Sequence, residues 1–88
     1  MADIQVIALD DTQYQVTVVD RATTSHHVTV KQTYAEQLTK GKISTADLVK
    51  QSFLFLLQRE PNTSILRNFD LSVIAQYFPD YEQSIQQH

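Results

Sequence analysis

The chain has 88 residues, a formal net charge of −3 and no cysteine, which fits a single domain and excludes disulfides and thiolate metal sites. Its one glycine and two prolines rule out a glycine-rich phosphate loop and argue against a linker-rich or disordered chain. The acidic balance removes any whole-molecule attraction to phosphate backbones, although a local basic patch stays possible.

Residues 1–88 read as one domain, with strands over about 3–31 and helices over about 34–87. Ile4, Val6 and Ala8 alternate with Gln5, Ile7 and Leu9, so both faces of the first strand are largely apolar. Asp10-Asp11-Thr12 makes a polar turn. Tyr14, Val16 and Val18 then alternate with Gln15 and Thr17, the period-2 pattern of a half-buried strand. Asp20 to Thr24 is the next break, and His26, Val28 and Val30 alternate with His27, Thr29 and Lys31. Three short strands joined by short polar loops predict an antiparallel meander. One face of it collects Tyr14, Val16, Val18, His26, Val28 and Val30 and needs a cover.

Helices supply the cover, so the fold class is α+β: a three-stranded meander followed by three to four helices packed on one sheet face. Thr33-Tyr34-Ala35-Glu36 fits a capping box opening a short helix from about Tyr34 to Lys40, with Gly41 as its stop. Ser44-Thr45-Ala46-Asp47 opens a second helix, with Ile43 and Leu48 as a hydrophobic staple. That helix starts amphipathic, becomes apolar nearly all round from Phe53 to Leu57, and is stopped by Pro61. Asn62-Thr63-Ser64 offers caps for a short turn through Ile65, Leu66 and Arg67. Asp70 is the expected cap of a helix carrying Val73, Ile74, Tyr77 and Phe78, with Phe69 and Ile74 as its staple pair, and Pro79 ends it. Tyr81 and Ile85 sit in a last polar turn or frayed helix, and Gln83 to His88 reads as a loose end.

No residue pattern nominates chemistry. His26 and His27 point to opposite faces of a strand and cannot chelate one metal together. Asp10, Asp11 and Asp20 read as turn residues, because the alternating oxygens and bend glycine of a calcium loop are absent. Asp47 and Asp70 read as helix caps, and Glu60 and Asp80 flank prolines, so no carboxylate pair is set up for acid–base work. No cofactor or metal is expected, and the chain is expected not to be an enzyme. The aromatic set of Phe53, Phe55, Phe69, Tyr77, Phe78 and Tyr81 has the helical spacing of a core. A domain this small buries only about two thirds of its unfolded surface, so Phe53, Phe55, Leu56, Tyr77 and Tyr81 are candidates for an interface with a protein partner or a second copy. The N-terminus lacks a basic and long apolar segment, and the longest apolar run, Phe53 to Leu57, is far short of the about 20 residues of a membrane span. The expected location is the cytoplasm, without membrane contact.

Two resemblances add to this reading. Glu60-Pro61-Asn62-Thr63-Ser64-Ile65-Leu66-Arg67-Asn68-Phe69-Asp70-Leu71, with Val73-Ile74 and Tyr77-Phe78-Pro79-Asp80-Tyr81-Glu82, resembles a family of small, uncharacterised bacterial proteins. That likeness spans about a third of the chain and implies a bacterial cytosolic setting but no activity. His27-Val28-Thr29-Val30-Lys31, a short helix, then Ser44-Thr45-Ala46-Asp47-Leu48-Val49 is similar to the ribbon-helix-helix repressors and antitoxins. That likeness implies a strand that dimerises and reads the DNA major groove through His27, Thr29 and Lys31. Two further strands before the ribbon, a short first helix and the acidic balance depart from that family. The leading expectation is a non-catalytic interaction or accessory module, possibly homo-oligomeric, and the alternative is a DNA-binding regulator.

Overall fold

The computed structural model describes residues 2–86. The alternating segments become β1 (Asp3–Ala8), β2 (Gln13–Val19) and β3 (Thr23–Thr29), an antiparallel meander. Its first turn is held by the Asp10 carboxylate, which accepts the N–H groups of Thr12 and Gln13, both at 2.8 Å. These bonds, that from Thr12 first, hold the Asp10 carboxyl below its ordinary range.

Across the strands the register aligns Val6, Val16 and His26 in one row and Tyr14, Val28 and Phe69 in another. This face carries the buried Ile4, Tyr14, Val16, Val18, Thr24, His26 and Val28, and the helices lie on it. The opposite face presents Gln5, Ile7, Gln15, Thr17, Ser25 and His27. The shortest dimension of the molecule is 20 Å, the thickness of one helix layer on one sheet, which leaves that opposite face open.

The fold is α+β as expected, with one added strand. β4 (Asn68–Asp70) lies beside β3 and parallel to it, giving the order β1-β2-β3-β4. His27 N–H donates to the Arg67 carbonyl at 2.7 Å, and Leu71 N–H to the Thr29 carbonyl at 2.9 Å, fastening both ends of the pairing. Asp70 therefore serves a strand end rather than a helix start. Its carboxylate accepts from the Ser72 N–H at 3.0 Å and the Ser72 hydroxyl at 2.8 Å, turning the chain from β4 into α3 (Val73–Tyr77). Phe69 is likewise a strand residue and not part of a staple.

The helix between β3 and the second cap also differs at its start. α1 spans Gln32–Thr39, so Thr33 lies inside the first turn, and Lys31 at the cap position offers no side-chain bond. The helix ends on two left-handed residues, Lys40 (φ 53°) and Gly41 (φ 75°), a conformation in which glycine carries no steric cost. α2 (Thr45–Leu57) begins as predicted: the Ser44 hydroxyl accepts the Asp47 N–H at 3.1 Å. It stops at Leu57, before Pro61, and a tight turn through Gln58 to Glu60 follows.

The last helix, α4 (Tyr81–Gln86), is anchored and not a loose end. Tyr81 and Ile85 are buried in the common core, while Gln87 and His88 fall outside the described residues. The anchor is polar as well as apolar. The buried Ser52 hydroxyl donates to the Leu48 carbonyl at 2.7 Å, and Tyr81 OH stands 2.6 Å from the same Ser52 oxygen. Ser52 has only one proton, so the phenol must donate to it. Burial pushes the Tyr81 pKa upward and keeps the phenol protonated.

This order of donors makes the two halves of the pair unequal. Ser52→Ala leaves a buried phenol without an acceptor and should cost about 1–3 kcal/mol. Tyr81→Phe leaves Ser52 bonded to Leu48 and should cost about 1 kcal/mol or less. Urea midpoints of the two variants test the ranking.

Candidate functional site

Between the end of α2 and α3 the surface opens into an apolar groove of about 190 Å³. Leu56, Ile65, Phe69, Ile74 and Phe78 form its walls, and Glu60, Leu66 and Tyr77 stand at its rim. Tyr77 is 68% exposed and Leu66 50% exposed. A cavity of about 150 Å³ holds a benzene ring, whereas cofactor and drug sites run to about 300–1,000 Å³. The groove thus has the size for one aromatic or branched aliphatic side chain.

One wall of the groove is the segment from Pro61 to Leu71, and a buried polar chain lays it onto the sheet. A 3-10 turn (Asn62–Ser64) follows Pro61. Asn62 does not cap it, because its amide points inward. The amide group donates to the Ala22 carbonyl at 2.9 Å and to the Thr24 hydroxyl oxygen at 3.0 Å, with the Val18 carbonyl at 3.4 Å. The Thr24 hydroxyl lies 2.8 Å from His26 Nε2, and His26 Nδ1 lies 2.8 Å from the Leu66 carbonyl. A carbonyl can only accept, so Nδ1 carries the proton, and in the neutral ring that burial favours, Nε2 accepts from the Thr24 hydroxyl. The imidazole is neutral, fully enclosed, and packs against Phe53 at 5.3 Å between ring centres.

Behind Phe78 the groove is braced by Arg59. Its guanidinium lies 3.7 Å over the Phe55 ring centre and forms an ion pair with Asp80 at 2.7 Å. Phe55 in turn meets Phe78 edge-on at 5.9 Å. The stacked cation holds α2 and the α3–α4 turn together by packing as much as by charge.

Four of the five residues expected at an interface are inside the monomer. Phe53, Phe55, Leu56 and Tyr81 are buried, and Tyr77 alone reaches solvent. The reason is geometric: α2 packs on the sheet through one side and meets α1 and α4 on others. Most of its apolar end is therefore covered within one chain, with Leu54 left exposed. Leu66 and Ile65 were not singled out by sequence. Their signal was an apolar pair in a polar loop, where one side chain enters the core and its neighbour must face outward.

His27, Thr29 and Lys31 are placed differently from the ribbon-helix-helix likeness. β3 has β2 on one side and β4 on the other, so the ribbon strand has no free edge with which to dimerise. The Thr29 hydroxyl donates to Gln13 Oε1 at 3.1 Å, and His27 Nδ1 stands 3.4 Å from Asn68 Oδ1. Both side chains belong to cross-strand contacts of the open face, and Lys31 is an exposed residue at the start of α1. This removes the geometry on which that likeness depended.

The groove lining contains one carboxylate, Glu60, and no basic side chain. Among the described residues no group of three histidine, cysteine, aspartate or glutamate side chains could hold a metal ion. Among the described residues no helix is long and apolar enough to cross a membrane. No protein-family model matches the chain, and no curated protein or solved structure is similar to it. The site therefore rests on its own geometry, and that geometry suits the burial of an apolar side chain beside an acidic rim.

Burial holds the His26 pKa below the usual imidazole value, the nearby Arg67 charge adds to this, and the Leu66 carbonyl opposes it. A depressed folded-state pKa means that the unfolded chain takes up the proton first. The stability carried by the neutral ring is complete above the unfolded-state pKa and is lost as pH falls through the folded value. Between about pH 7.5 and about pH 5 the urea midpoint of the wild type should fall more steeply than that of His26→Gln. Equal slopes in parallel titrations would remove His26 from this role.

Proposed function

We propose that the chain is a non-catalytic interaction module of the cytoplasm that receives an apolar side chain of a protein partner in the groove beside Tyr77. The observation that carries this reading is the exposure of Tyr77 and Leu66 on either side of an apolar cleft. Apart from Leu54, the other large apolar side chains of the helix layer are buried or half-buried in the chain's own core. Exposed aromatic residues flanking a cleft are favoured at protein interfaces.

The acidic rim adds selectivity. Glu60 is the only carboxylate of the lining, so the fitting partner carries a lysine or arginine next to its apolar anchor. Catalysis is a poor match. The buried imidazole of His26 has both nitrogens engaged by Thr24 and Leu66, and no histidine or lysine lines the groove to activate the Ser64 hydroxyl there. The small bacterial family that the segment from Glu60 to Glu82 resembles fits this setting, since the same segment builds most of the groove.

The test is a photoreactive amino acid placed at Tyr77 in the chain expressed in its native cells, with Thr17 on the open sheet face as a control. A discrete adduct from position 77, absent from position 17 and lost with Leu66→Asp, is the expected result. The same adducts from both positions, or none from position 77, would overturn the groove as a docking site. Leu66→Asp, made at an exposed position, should change folding stability by no more than about 0.5 kcal/mol, so loss of the adduct would not reflect unfolding.

A further inference from the structure

The opposite edge of the sheet carries hydrogen-bonding groups that the chain leaves unused. Leu9 N–H donates to the Gln13 carbonyl at 2.8 Å, so Leu9 and every second residue before it, Ile7, Gln5 and Asp3, turn their backbone groups toward β2. The N–H and C=O of Ile4, Val6 and Ala8 consequently point away from the sheet. Among the described residues nothing bonds to them.

Exposed edges are usually blunted by proline, lysine, a bulge or shortness. β4, the other edge, has only three residues. β1 has six, reads Asp-Ile-Gln-Val-Ile-Ala, and contains neither proline nor lysine. Ile7 is 53% exposed and Leu9, just beyond the strand, 52% exposed.

We propose that β1 pairs antiparallel with β1 of a second copy about a two-fold axis at Val6, joining two four-stranded sheets into one. The three outward-pointing residues are symmetric about Val6. In this register Val6 faces its own counterpart and Ile4 faces the partner's Ala8, so every outward N–H and C=O of the three residues is used, about six bonds in all. A register shifted by two residues one way sets Ala8 against the partner's Ala2, and shifted the other way sets Ile4 against the partner's Asp10. Only the central register matches the apolar strand with itself. It also keeps like charges apart in an acidic chain: Asp3, the only charged residue of β1, lies opposite the partner's Leu9. On the open face the two Ile7 side chains become diagonal neighbours, about 7–8 Å apart.

The inference stands apart from the groove reading, because β1 and β4 are the two opposite edges of the sheet and the groove is built on the β4 side. Failure of either leaves the other standing.

The absence of cysteine gives a direct test by single substitutions in the full chain. Counterpart α-carbons of a directly opposed, hydrogen-bonded pair are about 5.5 Å apart, within disulfide range of about 4.4–6.8 Å. Val6→Cys should give a covalent dimer under mild oxidation. Ile4→Cys alone should not, since its counterpart is displaced by four residues, about 13 Å, while an equal mixture of Ile4→Cys and Ala8→Cys should cross-link. In sedimentation the wild type should be a dimer and Val6→Pro a monomer with unchanged circular dichroism, because the Val6 N–H is not used by β2. If Val6→Pro fails to fold, the cross-linking pattern decides by itself. A wild type that stays monomeric at its highest soluble concentration, equal cross-linking at positions 4 and 6, or a dimer that survives Val6→Pro in a folded state would overturn the proposal.

Discussion

The structure depends on a short line of buried hydrogen bonds running from Asn62 through Thr24 and His26 to the Leu66 carbonyl. Each group in it would be costly to bury alone. Joined in this order, the amide, hydroxyl and imidazole satisfy one another and leave no buried side-chain nitrogen or oxygen unbonded among the described residues. The line connects β3, the third strand of the meander, with the chain that returns from α2. It therefore decides where that return segment lies, and with it the position of β4 and the wall of the groove. A neutral His26 is part of the same arrangement, since burial disfavours a second, charge-bearing ring proton.

Around this line the core is economical. Phe53 touches both His26 and Phe69, so one side chain of α2 seals the polar row and supports the last strand. Phe55 meets Tyr81 and Phe78 and carries Arg59 on its other face. The result is a helix layer whose large side chains are largely shared among three or more elements. What remains unshared is Tyr77, Leu66 and, on α2, Leu54, and of these Tyr77 and Leu66 line the groove.

The meander, its inward row and the Ser44 cap were legible in the sequence, because period-2 alternation and a hydroxyl three residues before a free N–H are local signals. The fourth strand was not. Asn68-Phe69-Asp70 holds a single apolar residue between two that disfavour strands, and its pairing is specified by backbone bonds from β3 rather than by its own side chains. The role of Asp70 was misplaced for the same reason: an aspartate before a helix looks alike whether it caps the helix or turns the chain out of a strand. Of the residues expected at an interface, Phe53, Phe55, Leu56 and Tyr81 are enclosed by the chain itself and Tyr77 is not. Helical spacing shows that Phe53 to Leu57 is apolar on every side, but not whether the covering surface belongs to the same chain. The exposure of Leu66 depends on its neighbour Ile65 turning inward, a choice made by the Asn62 and His26 bonds some distance away.

The pairing of β3 with β4 has a kinetic side. Its contacts join residues 41 positions apart, as in His27 and Asn68, whereas the hairpins of the meander close over loops of a few residues. Loop closure of that length must come before the contacts that reward it, which places β4 among the last elements to dock and the first to detach. The groove shares its wall with that strand. The proposed docking groove and this late-docking piece of sheet thus share one stretch of chain, so a partner seated beside Phe69 would act as a clamp on the native state and raise hydrogen-exchange protection far from the residues it touches.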